Sequence, residues 1–428
     1  MIDARLTSPL VDAGTPVAVF KLTSDPFQHG TLAIARSLGR LGVRVHLATR
    51  DPDAPPARSR YVASRTGMPP PEAGDVAILE LLRRVAARIG TRALLIAADD
   101  VAALFVADNF AQLPREFLLP DQPAGLPLEL SDKGRLHNLC LRAGIPTPAA
   151  RFPTSRDEML AGAEELGYPI VLKSMDPRIL RRRPRAVSVA VAHTRNEAIE
   201  LYDRIEDPGE PNLMLQEFIP GDARSIWMFN GYFDRNGASP IGIVGQKIRQ
   251  APPRTGATTL GVVVSNEVVR ELAVRFLGDL GYRGMVDLGF RYDARDGRYK
   301  LLDVNPRIGS SFRLFVARNG LDVVRALYLD LTGQSVPGGR APEGRRWLVE
   351  DQDLATSIKL AWRGELGLRG YLSSLRGVEE RAWVARDDPR PAARMVVQTI
   401  RTLAARAVGR LRQPDPAGDG EGSAAAPS

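Results

Sequence analysis

The stretch that most constrains this chain runs from Arg283 to Ser311, RGMVDLGFRYDARDGRYKLLDVNPRIGSS. Two apolar runs, Met285–Tyr292 and Arg298–Val304, flank a loop rich in Asp that ends at Gly297. This pattern predicts a β-hairpin. With Asp293–Gly297 as the loop and Tyr292 facing Arg298, Asp287 stands directly opposite Asp303, and Asn305 follows two residues on, on the same face. Directly opposed Cβ atoms sit about 5 Å apart, and like charges there repel. Two carboxylates so placed among Val, Leu and Phe need a cation. An oxygen-only set of Asp287, Asp303 and Asn305 suits Mg2+ or Mn2+, with water and phosphate oxygens completing the shell. Arg307, just past the second strand, is placed to grip an anion bidentately. The alternative is a solvated hairpin with incidental acids, and Asp293, Arg295 and Asp296 read that way.

The rest of the chain sets bounds on this reading. Its 428 residues suffice for two or three domains with a substantial core. The net charge of +8 fits anionic partners: a nucleotide, an acidic substrate, nucleic acid or a membrane surface. Aromatic residues make up only 6% and no nucleic-acid module is recognisable, which argues against nucleic acid. One cysteine, Cys140, leaves no internal disulfide framework, and its helical surroundings read as packing. No signal-peptide layout and no apolar run of membrane-spanning length is present, so a cytoplasmic enzyme is expected.

The chain opens with the strand-like run Pro16–Leu22, then Gly30–Leu41 with helical spacing at Leu32, Ala35, Leu38 and Leu41, then a second strand, Val43–Ala48. Such a β-α-β opening predicts a parallel sheet. With a helix over Asp75–Ile89 and strands at Ala93–Ala97 and Phe117–Leu119, residues 1–120 read as a doubly wound α/β domain. A ligand there would sit at the strand C-termini, near Asp25, His29 or Asp99. The domain reads equally well as purely structural. Pro120–Leu130 reads as a Pro-rich linker. Ser131 is expected to cap a helix to Ala143, and the box Ser155–Glu158 one to Leu166. Tyr168–Lys173 is a strand ending in lysine, with Val187–Ala192 as antiparallel partner. Leu213–Glu217 is another strand, and Ser225–Phe233 with Pro240–Arg249 a hairpin around Asn236–Gly237. Helices are expected over Ser265–Leu280 and Leu321–Leu331.

Beyond a Gly/Pro linker, Pro337–Gly344, the helical hints are mixed until Ala393–Leu411. That helix is amphipathic. Val396, Ile400, Leu403, Ala407 and Leu411 share one face, with Arg401, Arg406 and Arg410 opposite. It packs on the body of the protein or lies on an anionic membrane surface. Residues 336–412 form an extension whose role is a substrate lid, a homodimer contact or a membrane foot. Residues 413–428 have the composition of a disordered tail.

Further features gather around the hairpin. Lys133 stands in the first turn of its helix. Lys173 ends a strand inside a sheet, where an unpaired charge is costly and an anion such as phosphate is the natural partner. Gln216, Glu217, Phe218 and Ile219 end a strand before Pro220–Gly221, and an extended segment of this kind can read a base edge. Asp222 follows and is placed for ribose hydroxyls. Ser174–Ala186 is a long loop carrying Arg178, Arg181, Arg182, Arg183 and Arg185. It reads as a basic lid over polyphosphate or as a solvated loop.

In this order, SDK, LRAGIPTP, YPIVLKS, LQEFIPGD, VDLGF and LLDVNPR resemble the ATP-grasp superfamily across Ser131–Leu331. No single piece is specific; the ordered set is. The resemblance implies an α/β (α+β) architecture. A doubly wound domain precedes an ATP-grasp domain over 121–335, with subdomains 121–218 and 219–335 gripping ATP, and a mostly helical extension follows. It implies that Lys133 and Lys173 contact ATP phosphates and that Gln216 to Ile219 flank the adenine, with Asp222 nearby. Asp287, Asp303 and Asn305 would then hold Mg2+, and Arg307 with Lys173 would act on the transferring phosphoryl group. The tract GQKIRQAPPRTG, Gly245–Gly256, looks most like carboxylate–amine ligases of the D-aspartate ligase and carbamoyl-phosphate-synthetase-like group. By that likeness Lys247, Arg249 and Arg254, with Arg307, face the substrate. The implied activity is an ADP-forming ligation of a small carboxylate to an amine through an acyl phosphate. The alternative is a non-catalytic ATP-binding regulator. Two departures stand out: the phosphate loop lacks glycine, and Asp occupies both carboxylate positions where the family often has Glu.

Overall fold

The structure, a computed structural model, describes residues 11–23, 28–176, 189–206, 211–253 and 255–411. Asp25, Arg254, the arginines of the 174–186 loop and the 413–428 tail, all singled out above, lie outside them.

The first sheet holds β1 (Val17–Phe20), β2 (Val45–Thr49), β3 (Val62–Gly67), β4 (Ala93–Ala97) and β5 (Phe117–Leu118) in the order β3-β2-β1-β4-β5, all parallel. Every residue of β1 is buried, as expected where helices cover both faces. Val17 and Val19 pack against α1 (Gln28–Gly39), while Ala18 and Phe20 pack against α2 (Gly74–Ile89) and α3 (Asp100–Asp108). Strand β3 was not expected. Its sequence, VASRTG, alternates half-buried with exposed positions along the sheet edge and carries no apolar run.

Helix α4 (Leu126–Ser131) lies inside the stretch read as linker, burying Leu126 and Leu130. Helix α5 (Lys133–Arg142) is capped by Asp132, whose Oδ1 accepts from Arg135 N at 2.9 Å, rather than by Ser131. Cys140 on α5 is buried, and burial pushes its thiol up to about 12, a packing residue.

A four-stranded antiparallel sheet follows, in the order β6-β9-β7-β8: β6 (Ala150–Arg151), β7 (Ile170–Ser174), β8 (Val189–Ala192) and β9 (Leu213–Glu217). The two-residue period decides its faces. Ile170, Leu172, Ala192, Leu213 and Leu215 pack against α6 (Arg156–Leu166) and α7 (Arg195–Ile205). Val171, Lys173, Val189, Val191 and Gln216 are left on the other face, which lines a cleft.

The third sheet has seven strands, β14-β13-β10-β11-β12-β15-β16. They are β10 (Ile226–Phe233), β11 (Ile241–Ala251), β12 (Ala257–Val263), β13 (Gly284–Asp293), β14 (Arg298–Asn305), β15 (Arg346–Leu348) and β16 (Val378–Arg381). Helices α8 (Glu267–Asp279) and α9 (Val323–Leu331) pack on it. The C-terminal extension is mainly helical, with α10 (Glu350–Trp362), α11 (Leu368–Ser374) and α12 (Arg390–Leu411), and it also supplies β15 and β16 to the sheet edge.

A buried ionic seam joins the two ends of the chain. Arg36 on α1 donates to Asp388 Oδ2 at 3.0 Å and to the carbonyls of Ala382, Trp383 and Asp388. Ser37 donates to Asp322 at 2.6 Å, and Arg313 bridges Asp322 to Glu380. Helix α12 starts on this seam, with Ala392 and Met395 against the core and Arg394 donating to the Asp53 carbonyl at 2.7 Å. Val396, Val397 and Ile400 stay exposed.

Candidate active site

A cavity of about 660 Å3 lies between the four-stranded and seven-stranded sheets. Lys21, Asp99 and Asp100, just past the C-terminal ends of β1 and β4, form its third side. Strand order reverses between β1 and β4, the position where open α/β sheets bind ligands. Asp99 is spent on local structure: it accepts from the amides of Leu22, Thr23 and Ala102 and from the Thr23 hydroxyl. His29 packs between Trp347 and Trp383.

The floor is the β13–β14 hairpin. Its turn is Ala294–Gly297, so Asp293 pairs with Arg298 and Tyr292 with Tyr299, one residue away from the expected register. A bulge at Leu302 slips the pairing once more, and Asp287 faces Asn305 while Gly289 faces Asp303. Asp287 therefore does not stand directly opposite Asp303. The two slips together preserve parity, and Asp287, Asp303 and Asn305 all line the cavity.

Two glycines make the room for these acids. A Cβ on Gly289 would lie 2.2 Å from Asp303 Oδ1, and one on Gly309 would lie 2.7 Å from Asp287 Oδ1. The Asn305 amide donates through Nδ2 to the Asp287 carbonyl at 3.3 Å, which leaves its Oδ1 as an acceptor. Burial raises Asp287 to about 6; Arg307, the Asn230 amide and Lys247 work against that rise, and Asp303 adds to it. A neighbouring anion that disfavours ionisation is what a cation would relieve. The oxygen-only donors and the glycine cradle fit a hard divalent ion. Among the described residues no three His, Cys, Asp or Glu side chains form a metal-binding group, so the third ligand would be the amide of Asn305.

Across the cleft, Lys173 is 7% exposed. Burial lowers it to about 8, Asp303 opposes that shift, and Lys133 adds to it. Lys133 is held beside it, its amide donating to the Met175 carbonyl at 3.1 Å. Lys247, on β11, also lies under burial that lowers its pKa, with Asp303 and Asp287 opposing; its Nζ donates to the Gly256 carbonyl at 2.9 Å.

At the far end, Gln216, Glu217, Phe218 and Ile219 line the cleft where β9 runs out. The backbone polar groups of Phe218 and Ile219 have no hydrogen-bond partner among the described residues. The Glu217 carboxylate is tied down by Arg295 and Lys300. The same network holds Asp293, only 1% exposed and 2.7 Å from Lys300 Nζ, so Asp293 and Arg295 brace the end of β9 and are not incidental loop charges. Arg291, absent from the sequence reading, lies in the cleft beneath Phe218 and donates to the Gly221 carbonyl at 2.7 Å. It stands two and four residues from Gly289 and Asp287 on one strand face, a period that could have revealed it.

The remaining cations separate. Arg307 lines the cleft and grips Asp100 with two bonds of 2.8 Å. Burial opposes its charge, but Asp100, then Asp287, more than offset this and raise its pKa. Arg249 does not reach the cavity. It is 5% exposed, bound to both oxygens of Asp353 at 2.8 Å and to Ser374 Oγ at 2.6 Å. Its strand position is close to Lys247, but a bulge between them turns it to the other side. Asp222 is exposed outside the cavity lining and caps a short turn at Arg224 N, 2.9 Å away.

No protein-family model matches the chain. It is 26% identical to the D-aspartate ligase of Enterococcus faecium over 306 residues, 68% of this chain and 72% of that protein. Among solved structures it superposes on the biotin carboxylase domain dimer of Hydrogenobacter thermophilus 2-oxoglutarate carboxylase in complex with MgADP, ADP and bicarbonate. The TM-score is 0.57 and the identity 16%, over 74% of this chain and 70% of that one. It also superposes on the L-amino acid ligase of Bacillus licheniformis with TM-score 0.56 and 16% identity, over 75% of each. With its three sheets arranged around one cleft, the chain has the fold of ATP-grasp enzymes and is similar in sequence to D-aspartate ligase.

Proposed function

We propose that the protein is an ATP-dependent, ADP-forming ligase that joins a small carboxylate, such as an amino acid, to an amine through an acyl phosphate. One observation carries the reading. The acids of one sheet, Asp287 and Asp303 with Asn305, meet Lys133 and Lys173 from the lobe opposite, in a cleft of nucleotide size.

In this reading residues 1–120 close the substrate end, 121–218 and 219–335 hold ATP between them, and 336–412 brace the sheet. The backbone of Phe218 and Ile219 offers the purine a donor and an acceptor. Lys133 and Lys173 hold phosphates, and an arriving anion restores the charge that burial disfavours on Lys173. A magnesium or manganese ion bound by Asp287, Asp303 and Asn305 would neutralise phosphoryl oxygens. Arg307, preset by Asp100, orients the acid whose carboxylate oxygen attacks the γ-phosphorus; ADP leaves, and the amine then displaces phosphate from the acyl carbon. Lys247 stands on the substrate side. The protein's contribution is positioning and charge stabilisation, without a side-chain nucleophile. A cytoplasmic location goes with this reading. A homodimer and a membrane contact through α12 form no part of it, because neither supplies a residue to the cleft.

The test is ADP release with a panel of amino acids and small carboxylates, each with and without an amine acceptor. Product formation should require both and should vanish in Asp287→Asn and Lys173→Ala. Full turnover in either variant, or tight ATP binding with no acid-dependent ADP release, would overturn the reading.

A further inference from the structure

Helix α10 is packed inside out. Its buried side chains are Asp353, Thr356 and Ser357. Its outward stripe is Leu354, Ile358 and Trp362, which are 52%, 46% and 88% exposed. The spacing of four residues sets these three along one face. The inward polar groups have their reason, since Asp353 binds Arg249 and accepts from Thr259 Oγ1 at 2.9 Å. The outward apolar groups have no such reason within the fold. Helix α11 continues the surface with Leu368 and Leu372, 74% and 56% exposed. Scattered exposed leucines are ordinary, but five large apolar side chains on one helix–turn–helix tip, a tryptophan among them, mark a contact surface.

The charges on the tip select the partner. From Leu354 to Arg376 the exposed ionisable side chains are Lys359, Arg363, Glu365, Arg369 and Arg376. None of the four cations is ion-paired with a described residue. A second copy docked by two-fold symmetry would set this patch, with its four cations and one acid, against the same net-positive patch. A bilayer with anionic lipid offers both needed partners in one layer, phosphate for the cations and acyl chain for the apolar residues. Tryptophan suits that boundary, and arginine stems reach back from it to the headgroups. No described helix is long and apolar enough to cross a membrane, so the contact is peripheral.

We propose that the α10–α11 tip docks the protein on an anionic lipid surface. Trp362 and Leu368 enter the headgroup–acyl boundary, and Lys359, Arg363 and Arg369 engage phosphates. The Arg249–Asp353 pair fixes the tip to β11, the strand whose Lys247 lines the cleft, so the docked face and the nucleotide site share one strand.

The test uses the full chain with vesicles of phosphatidylcholine, with and without phosphatidylglycerol. The protein should sediment with the mixed vesicles, not with phosphatidylcholine alone, and salt should release it. The double variant Trp362→Ser/Leu368→Ser should lose about tenfold or more in bound fraction, as should Arg363→Glu/Arg369→Glu, with ADP formation in lipid-free buffer unchanged. Undiminished sedimentation of either double variant, or no binding to the mixed vesicles, would overturn the proposal. So would light scattering showing a dimer that Trp362→Ser/Leu368→Ser makes monomeric, because the surface would then belong to a second copy.

Discussion

A methyl group placed on Gly289 reaches the proposed metal-binding face without altering any of the proposed ligands. The Cβ of Gly289→Ala would stand 2.2 Å from Asp303 Oδ1, where ordinary contact begins near 3.4 Å. The carboxylate must retreat by about 1 Å, while ligand distances for a bound ion tolerate only about 0.2 Å. Asp303 is then lost as a ligand or bound in poor geometry. Repositioning a ligand in this way costs roughly 10- to 100-fold in metal affinity, about 1.4 to 2.8 kcal/mol. Folding should hardly suffer, since Asp303 lies at the cleft and can swing into it, and alanine restricts the unfolded chain by about 0.4–1 kcal/mol relative to glycine. Calorimetric titration of Mg2+ with a non-hydrolysable ATP analogue should show the loss, with the melting temperature of the free protein nearly unchanged. Gly309→Ala should act alike through Asp287. Wild-type Mg2+ affinity in both variants would refute the cradle.

Three further outcomes are expected. Lys173 lies near 8 in the free protein against its usual 10.5, so its folded pKa is the lower one; stability should rise as pH climbs from about 8 to about 10.5. Lys173→Met should abolish that rise, and ATP affinity should weaken above pH 8 in the wild type only, as read by calorimetry and thermal melts. Arg249→Leu strands the buried Asp353 and should cost about 3–5 kcal/mol in urea unfolding. Arg249→Leu/Asp353→Leu should recover most of it, with ADP formation retained at low temperature; loss of activity in a well-folded double variant would restore Arg249 as a substrate cation. Asp100→Asn releases Arg307 and should lower kcat for ADP formation by up to about 100-fold with the circular dichroism spectrum intact; an unchanged kcat would remove Asp100 as a positioning residue.

What the sequence disclosed follows from what local chemistry controls. The β-α-β opening and the strand carrying Lys173 were legible because continuous apolar runs mark buried strands, though that strand runs on to Ser174. Strand β3 was not, since an edge strand needs no apolar run. The shared face of Asp287, Asp303 and Asn305 was legible through the two-residue period, whereas their pairing was not, because a bulge at Leu302 leaves no mark in the letters. Gly289 and Gly309 were visible as glycines, but their purpose depends on acids brought close by the register. Arg249 was misplaced for the same reason: one irregularity in β11 turned it from the cleft toward Asp353, a residue 104 positions away. Asp100 and Arg307 meet across 207 positions, beyond the reach of any local pattern.

The seam between Arg36 and Asp388 carries a consequence for biosynthesis. These partners are 352 residues apart in the chain and both sides are buried, at 5% and 1% exposure. During translation α1 emerges well before Asp388, so the Arg36 guanidinium finds its counter-charge only after 352 further residues have been made. Until then α1 must keep that group wet and its packing loose. A lobe made early is therefore slow to set, and a nascent chain halted before Asp388 should present a protease-sensitive α1.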